Sequence, residues 1–172
     1  MAYFKWTVTI LFWLLVAAFL HYTLPRWDVV MISNTESKRE RPADVPLFWS
    51  SANPPSEVRD VYYIQAQTEA RKVRVYRNED TGYGWPPFFK FDTSDLQAEA
   101  AGLTSTFADP TWVAIKHYGW RINLISIYPN ALRIKQVDGP DVRVIPWTSI
   151  VILIVLAAAY WALRVRWLRF RE

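Results

Sequence analysis

Residues 6–25 and 144–163 each run for twenty positions without an Asp, Glu, Lys or Arg. Twenty helical residues rise about 30 Å, the hydrocarbon thickness of a bilayer, so both stretches read as membrane-spanning helices. Aromatic rings, which favour headgroup depth, mark their ends. Tyr3, Phe4, Trp6, Tyr22 and Trp27 bracket the first, and Trp147, Tyr160, Trp161 and Trp167 the second. Val16-Ala17-Ala18 behind Lys5 resembles a signal-peptide cleavage site, but the apolar run continues through Phe19 and Leu20. A retained anchor is therefore the expectation.

The charges beside the second stretch set the orientation. Arg164, Arg166, Arg169 and Arg171 follow it closely. Basic residues stay cytoplasmic, which places both termini inside and the intervening domain in the periplasm of an inner membrane. The same arginines face anionic lipid headgroups. The resulting plan is a cytoplasmic N-terminus over 1–5, a first span over 6–25, a periplasmic domain over 26–145, a second span over 146–163 and a basic tail over 164–172. Ends this short hold no cytoplasmic output module, so any signal would pass through other integral membrane proteins.

Residues 26–145 carry 15 basic and 15 acidic side chains, so the pI near 9.4 reflects the tail. A neutral domain offers no basic face to a nucleic acid. The absence of cysteine excludes disulfides, thiolate metal sites, cysteine nucleophiles and covalent haem attachment.

The domain reads as mostly antiparallel α+β, with one amphipathic helix packed on a sheet. Residues 27–33 are rich in β-formers, with partial alternation. Residues 34–60 hold Pro42, Pro46, Pro54 and Pro55 and a charged run, and read as an irregular surface loop. Residues 61–67 and 72–76 form a hairpin, with Val73 and Val75 on one face of its second strand and Lys72, Arg74 and Tyr76 on the other. Ser94 and Gln97 have capping-box spacing. They open a helix whose Leu96, Ala100, Leu103 and Phe107 make one stripe, ended near Gly102. Residues 112–118, 124–128 and 132–137 read as three further strands.

Four groups of residues compete for a functional role. Phe48 and Trp49 lie in a greasy triplet within a polar loop, suited either to tucking over the core or to meeting a partner. Residues 76–92 are dense in rings: Tyr83 and Trp85 offer an aromatic platform or simply the edge of the core. Glu79 and Asp80 in the same loop fit neither a metal loop nor a glycosidase pair, since adjacent strand residues point to opposite faces. His117, Trp120 and Arg121 can clamp a carboxylate or phosphate. His21 sits near the outer end of the first span, where an ionisable residue is a candidate by position. No spacing nominates a catalytic set, a metal site or a cofactor.

The run YRNEDTGYGWPPFFKFDTSDL, with HYGWR, SIYPNA and WTVTILFWLLVAAFLHYTLP, resembles an alphaproteobacterial membrane-protein family known only as a domain of unknown function. The likeness covers nearly the whole chain. It implies a two-span inner-membrane protein with no assigned reaction or cofactor. Members of that family often carry a longer charged C-terminal tail, whereas this chain stops at Glu172.

The expected role is non-catalytic: an accessory, assembly or scaffolding subunit of a membrane complex, touching partners through Phe48, Trp49, Tyr83, Trp85, Trp120 and Arg121. The alternatives are a periplasmic binding module for a lipid, glycan or small anion, and an envelope hydrolase.

Overall fold

The structure is a computed structural model that describes residues 2–40 and 59–171. Phe48 and Trp49 lie outside the described residues.

Two helices occupy the apolar ends: α1 over Ala2–Thr23 and α3 over Trp147–Arg169. Both are long and apolar enough to cross a membrane, and almost nothing in either is buried by the rest of the chain. They meet where Trp13 packs edge-to-face on Tyr160, with centroids 5.9 Å apart. Helix α3 continues past the expected end at residue 163, so Arg164, Arg166 and Arg169 ride on its last turns. Leu and Arg are good helix formers, and no Pro or Gly interrupts the run.

Between these helices five strands close on themselves: β1 (Arg26–Glu40), β2 (Arg59–Gln67), β3 (Val73–Asn78), β4 (Trp112–Tyr118) and β5 (Asn130–Gln136). Their order around the barrel is β1-β2-β3-β5-β4, returning to β1. All neighbours are antiparallel except β3 and β5, which run parallel where Arg77 meets Asn130. The remaining helix, α2 (Thr93–Gly102), lies between β3 and β4 and touches β1, β2, β3 and β5. Five strands in this order with a helix after the third make the OB barrel. The expected mostly antiparallel sheet is thus present, closed into a barrel.

The length of β1 makes closure possible. Its residues Arg26–Met31 pair with β4, and Met31–Glu40 pair with β2. The register slips between Ile32 and Asn34, leaving Ser33 as an extra residue whose Oγ donates to the Gln65 carbonyl at 3.2 Å. Such a bulge sharpens local twist and lets one strand serve both halves of a barrel. It also corrects the reading of 34–60 as irregular: residues 34–40 continue β1 and residue 59 already begins β2.

Val30, Ile32, Ile64, Ala66, Val113, Ile115, Ala131 and Ile134 fill the barrel, and Leu96 and Ala100 of α2 close one end. Each fully buried aliphatic side chain stabilises by about 1.5–3 kcal/mol. The capping box does not form: Gln97 Oε1 instead accepts from buried Asn78 at 3.0 Å. The acid serving the α2 N-terminus is Asp80, whose Oδ1 accepts from the Thr93 backbone at 3.1 Å. Residues 124–128 are not a strand. Asn123–Ile125 form a single 3-10 turn ended by Ser126 in the left-handed region, φ 49°.

Candidate functional site

The two faces of β3 are the reverse of what apolar patterning suggests. Tyr76 and Asn78 point into the barrel, while Val73 is 69% exposed. Tyr76 can face inward because its hydroxyl has a partner there. It donates to Asp28 Oδ2 on β1 at 2.7 Å. His117 of β4 brings Nε2 to 3.2 Å from the same oxygen, out of line for a straight hydrogen bond. The Tyr76 and His117 rings are 5.3 Å apart. Together they make a polar floor at the α1 end of the barrel, opposite the end that α2 closes.

Burial pushes the Asp28 carboxyl up, but His117, the Tyr76 hydroxyl and the Arg74 guanidinium together outweigh it and hold it down at about 2. Burial, reinforced by the Asp28 charge, pushes the Tyr76 phenol well above its ordinary range. The carboxylate is therefore ionised and the phenol protonated at neutral pH.

Over this floor lies a cavity of about 750 Å³. Its walls come from the last turn of α1, the start of β1, the first residues of β3 and the β4–β5 loop. Arg26, Lys72, Arg74 and Arg121 line it, together with His21, Trp120 and His117, against the single carboxylate of Asp28. The Lys72 and Arg74 side chains make no hydrogen bond or ion pair among the described residues. His117 is only 6% exposed, yet its Nδ1 has no hydrogen-bond partner among the described residues, nor has the buried Arg26 Nε. Buried polar atoms of this kind are normally satisfied.

The β4–β5 loop is held against α1 by a fixed set of bonds. Gly119 takes φ +93°, and its backbone N–H donates to the Tyr22 carbonyl at 3.0 Å. A Cβ there would meet Pro129 Cα and the Tyr22 ring. Arg26 Nη2 donates to the Gly119 carbonyl at 3.0 Å. Trp120 Nε1 donates to His21 Nδ1 at 2.8 Å, while Arg26 Nη1 lies 3.0 Å from His21 Nε2. Indole and guanidinium are both pure donors, and a neutral imidazole accepts at one nitrogen only. One of the two donors at His21 is therefore always left over. Arg121 lies over the Tyr128 ring at 4.1 Å and donates from Nη1 to the Ile127 carbonyl.

His21, His117, Trp120 and Arg121, candidates from the sequence, thus meet at one cavity. The other candidates do not. Glu79 is 3.0 Å from Arg77 and Asp80 serves α2, so both carboxylates have structural work. Trp85 stacks on Phe19 of α1 with centroids 5.7 Å apart. Tyr83 is 88% exposed and packs edge-to-face with Phe89 and Phe91. Lys90 anchors this loop from inside: its Nζ donates to Asn78 Oδ1, and burial lowers its pKa to about 8.

Arg26, Asp28, Lys72, Arg74 and Tyr76 were not legible as site residues. The available signal was Asp28, a carboxylate at an inward position of a run of β-formers, where burial requires a partner.

No solved structure matches the chain. A Haemophilus influenzae protein described as "Uncharacterized protein" is 39% identical over 157 residues, spanning 91% of this chain and 87% of that one. The family described as "Protein of unknown function (DUF1523)" matches residues 1–171. With a match over almost every residue and a relative this similar across most of both lengths, the chain belongs to the DUF1523 family.

Proposed function

We propose that this chain is a two-span inner-membrane protein with cytoplasmic termini, whose periplasmic barrel is a non-catalytic module that holds an anionic group in the cavity beside α1. One observation carries the binding reading. Four cationic side chains surround that cavity against one carboxylate already engaged by Tyr76 and His117. Guanidinium forks suit planar oxyanions, and Lys72 adds a mobile point charge.

The reading as an accessory, assembly or scaffolding subunit ranks second. Two of its proposed contacts, Trp85 and Trp120, are engaged with α1 of the same chain, and Arg121 lines the cavity. The envelope hydrolase reading needs a free acid–base pair, and Glu79 and Asp80 are both engaged.

The test uses the full chain in mild detergent, melted in sulfate and in chloride at matched ionic strength, beside a Lys72→Gln/Arg74→Gln double variant. Both side chains are exposed and hydrogen-bond to no other described residue, and Asp28 keeps Tyr76 and His117, so the variant keeps its fold. Site binding raises the wild-type melting temperature in sulfate more than that of the variant. An equal rise in both is a general salt effect and refutes the site.

A further inference from the structure

Resting on that reading, we propose that the anion is the phosphate of a membrane lipid, taken sideways from the periplasmic leaflet next to α1. The position of the cavity is the first argument. Its wall includes His21, in the last turn of α1, and Arg26, the first residue of β1. A ligand held there lies where the helix leaves the hydrocarbon, at the depth of lipid phosphates.

A collar of aromatic side chains fixes that depth independently. Trp85 reaches down to Phe19, an earlier residue of α1 than any that lines the cavity, and Trp120 packs edge-to-face on Tyr22 at 5.4 Å. Two loops of the barrel therefore lie alongside the helix rather than above it. In the loop that carries Trp85, Tyr83, Phe89 and Phe91 are each more than half exposed, as is Trp147 at the start of α3. Tyr83 and Trp147, each with an apolar body and a polar edge, settle at the headgroup boundary, and Phe89 and Phe91 pack on Tyr83. Placed there, these four account for an exposure that has no explanation in water.

The character of the rim is the third argument. Val73, 69% exposed, and Ile122 line the cavity beside the cations, and Leu124, 93% exposed, projects from the same loop. Cations with bare aliphatic side chains at their edge match an amphiphile, whose phosphate meets Arg26, Arg74 and Arg121 while its acyl chains stay against α1. A free inorganic anion has no use for that apolar edge.

The experiment is native mass spectrometry of the detergent-solubilised full chain with phosphatidylglycerol, phosphatidylcholine or no added lipid. Melting curves with glycerol phosphate and inorganic phosphate run in parallel, and each arm is repeated on Lys72→Gln/Arg74→Gln. The expected result is one retained phosphatidylglycerol per chain, bound about tenfold or more weakly by the variant. Lipid retained equally by the double variant is annular, and overturns the proposal. A melting shift with the soluble phosphates that needs Lys72 and Arg74, without lipid retention, overturns the lipid assignment and leaves the anion site standing. No response in either arm overturns both.

Discussion

Replacing Asp28 by Asn is the sharpest test of the polar floor. Asn has the same shape and an oxygen that can still accept from Tyr76, so the change removes charge more than contact. In the folded chain the carboxyl titrates at about 2, against an ordinary 3.8. Because the folded value is the lower one, the stabilisation is fully present above the unfolded value and is lost as pH falls through the folded one. The window is therefore pH 4 down to pH 2. At about 1.4 kcal/mol per pKa unit the full effect is about 2.4 kcal/mol. The side chain is 34% exposed, so solvent screening reduces this to about 1–2 kcal/mol. For a barrel of this size that corresponds to about 4–8 °C in melting temperature. The assay is thermal unfolding of the full chain in detergent, followed by near-ultraviolet circular dichroism at pH 7 and pH 2, for wild type and Asp28→Asn. Other carboxylates titrate in both proteins and cancel. The wild type should be the more stable at pH 7, and the gap should close at pH 2. A gap of equal size at both pH values would refute the assignment, because it would reflect altered packing rather than a stabilised charge.

Lys90→Met probes the opposite sign at the other end of the barrel. The Lys90 pKa is lowered to about 8 by burial, so the wild type should gain about 2–3 kcal/mol relative to the variant as pH rises from 8 to 10.5, measured by urea unfolding at each pH. A parallel pH profile in the two proteins would show that the ammonium is not desolvated. Ser149 is buried at the start of α3, and its Oγ donates to the Pro25 carbonyl at 2.5 Å. Ser149→Ala strands that carbonyl, and should lower stability by about 1–3 kcal/mol in the same melting assay. An unchanged melting temperature would mean that water or lipid replaces the hydroxyl.

Features that depend on local sequence were legible, and features that depend on barrel closure were not. Twenty residues without charge announce α1 and α3, because an apolar run of that length is most readily satisfied as a helix long enough to cross a bilayer. Helix α2 was readable from the spacing of Leu96 and Ala100, and β4 from the β-formers of residues 112–118. Residues 124–128 misled because Leu124, Ser126 and Tyr128 alternate with two isoleucines in a strand-like pattern. The segment in fact wraps a loop pinned at Gly119 and Pro129, with Leu124 exposed. The faces of β3 were misjudged for a related reason: valine normally points inward, but here a hydrogen-bonded tyrosine does. The cavity could not be anticipated at all from spacing. Arg26, Arg74, His117 and Arg121 are brought together only when β1 pairs with β4 and the barrel closes.

The join between α1 and β1 has a mechanical consequence. Only Leu24 and Pro25 separate Thr23 from Arg26. The Leu24 amide still donates to the Leu20 carbonyl at 2.8 Å, and the proline ring locks its own φ. Few soft torsions remain, and the Ser149 bond to Pro25 braces the joint from α3. Because β1 belongs to both halves of the barrel, helix and barrel behave as one stiff lever. Any force that tilts α1 must swing the whole domain, and the mouth between His21 and Arg26 lies at the fulcrum.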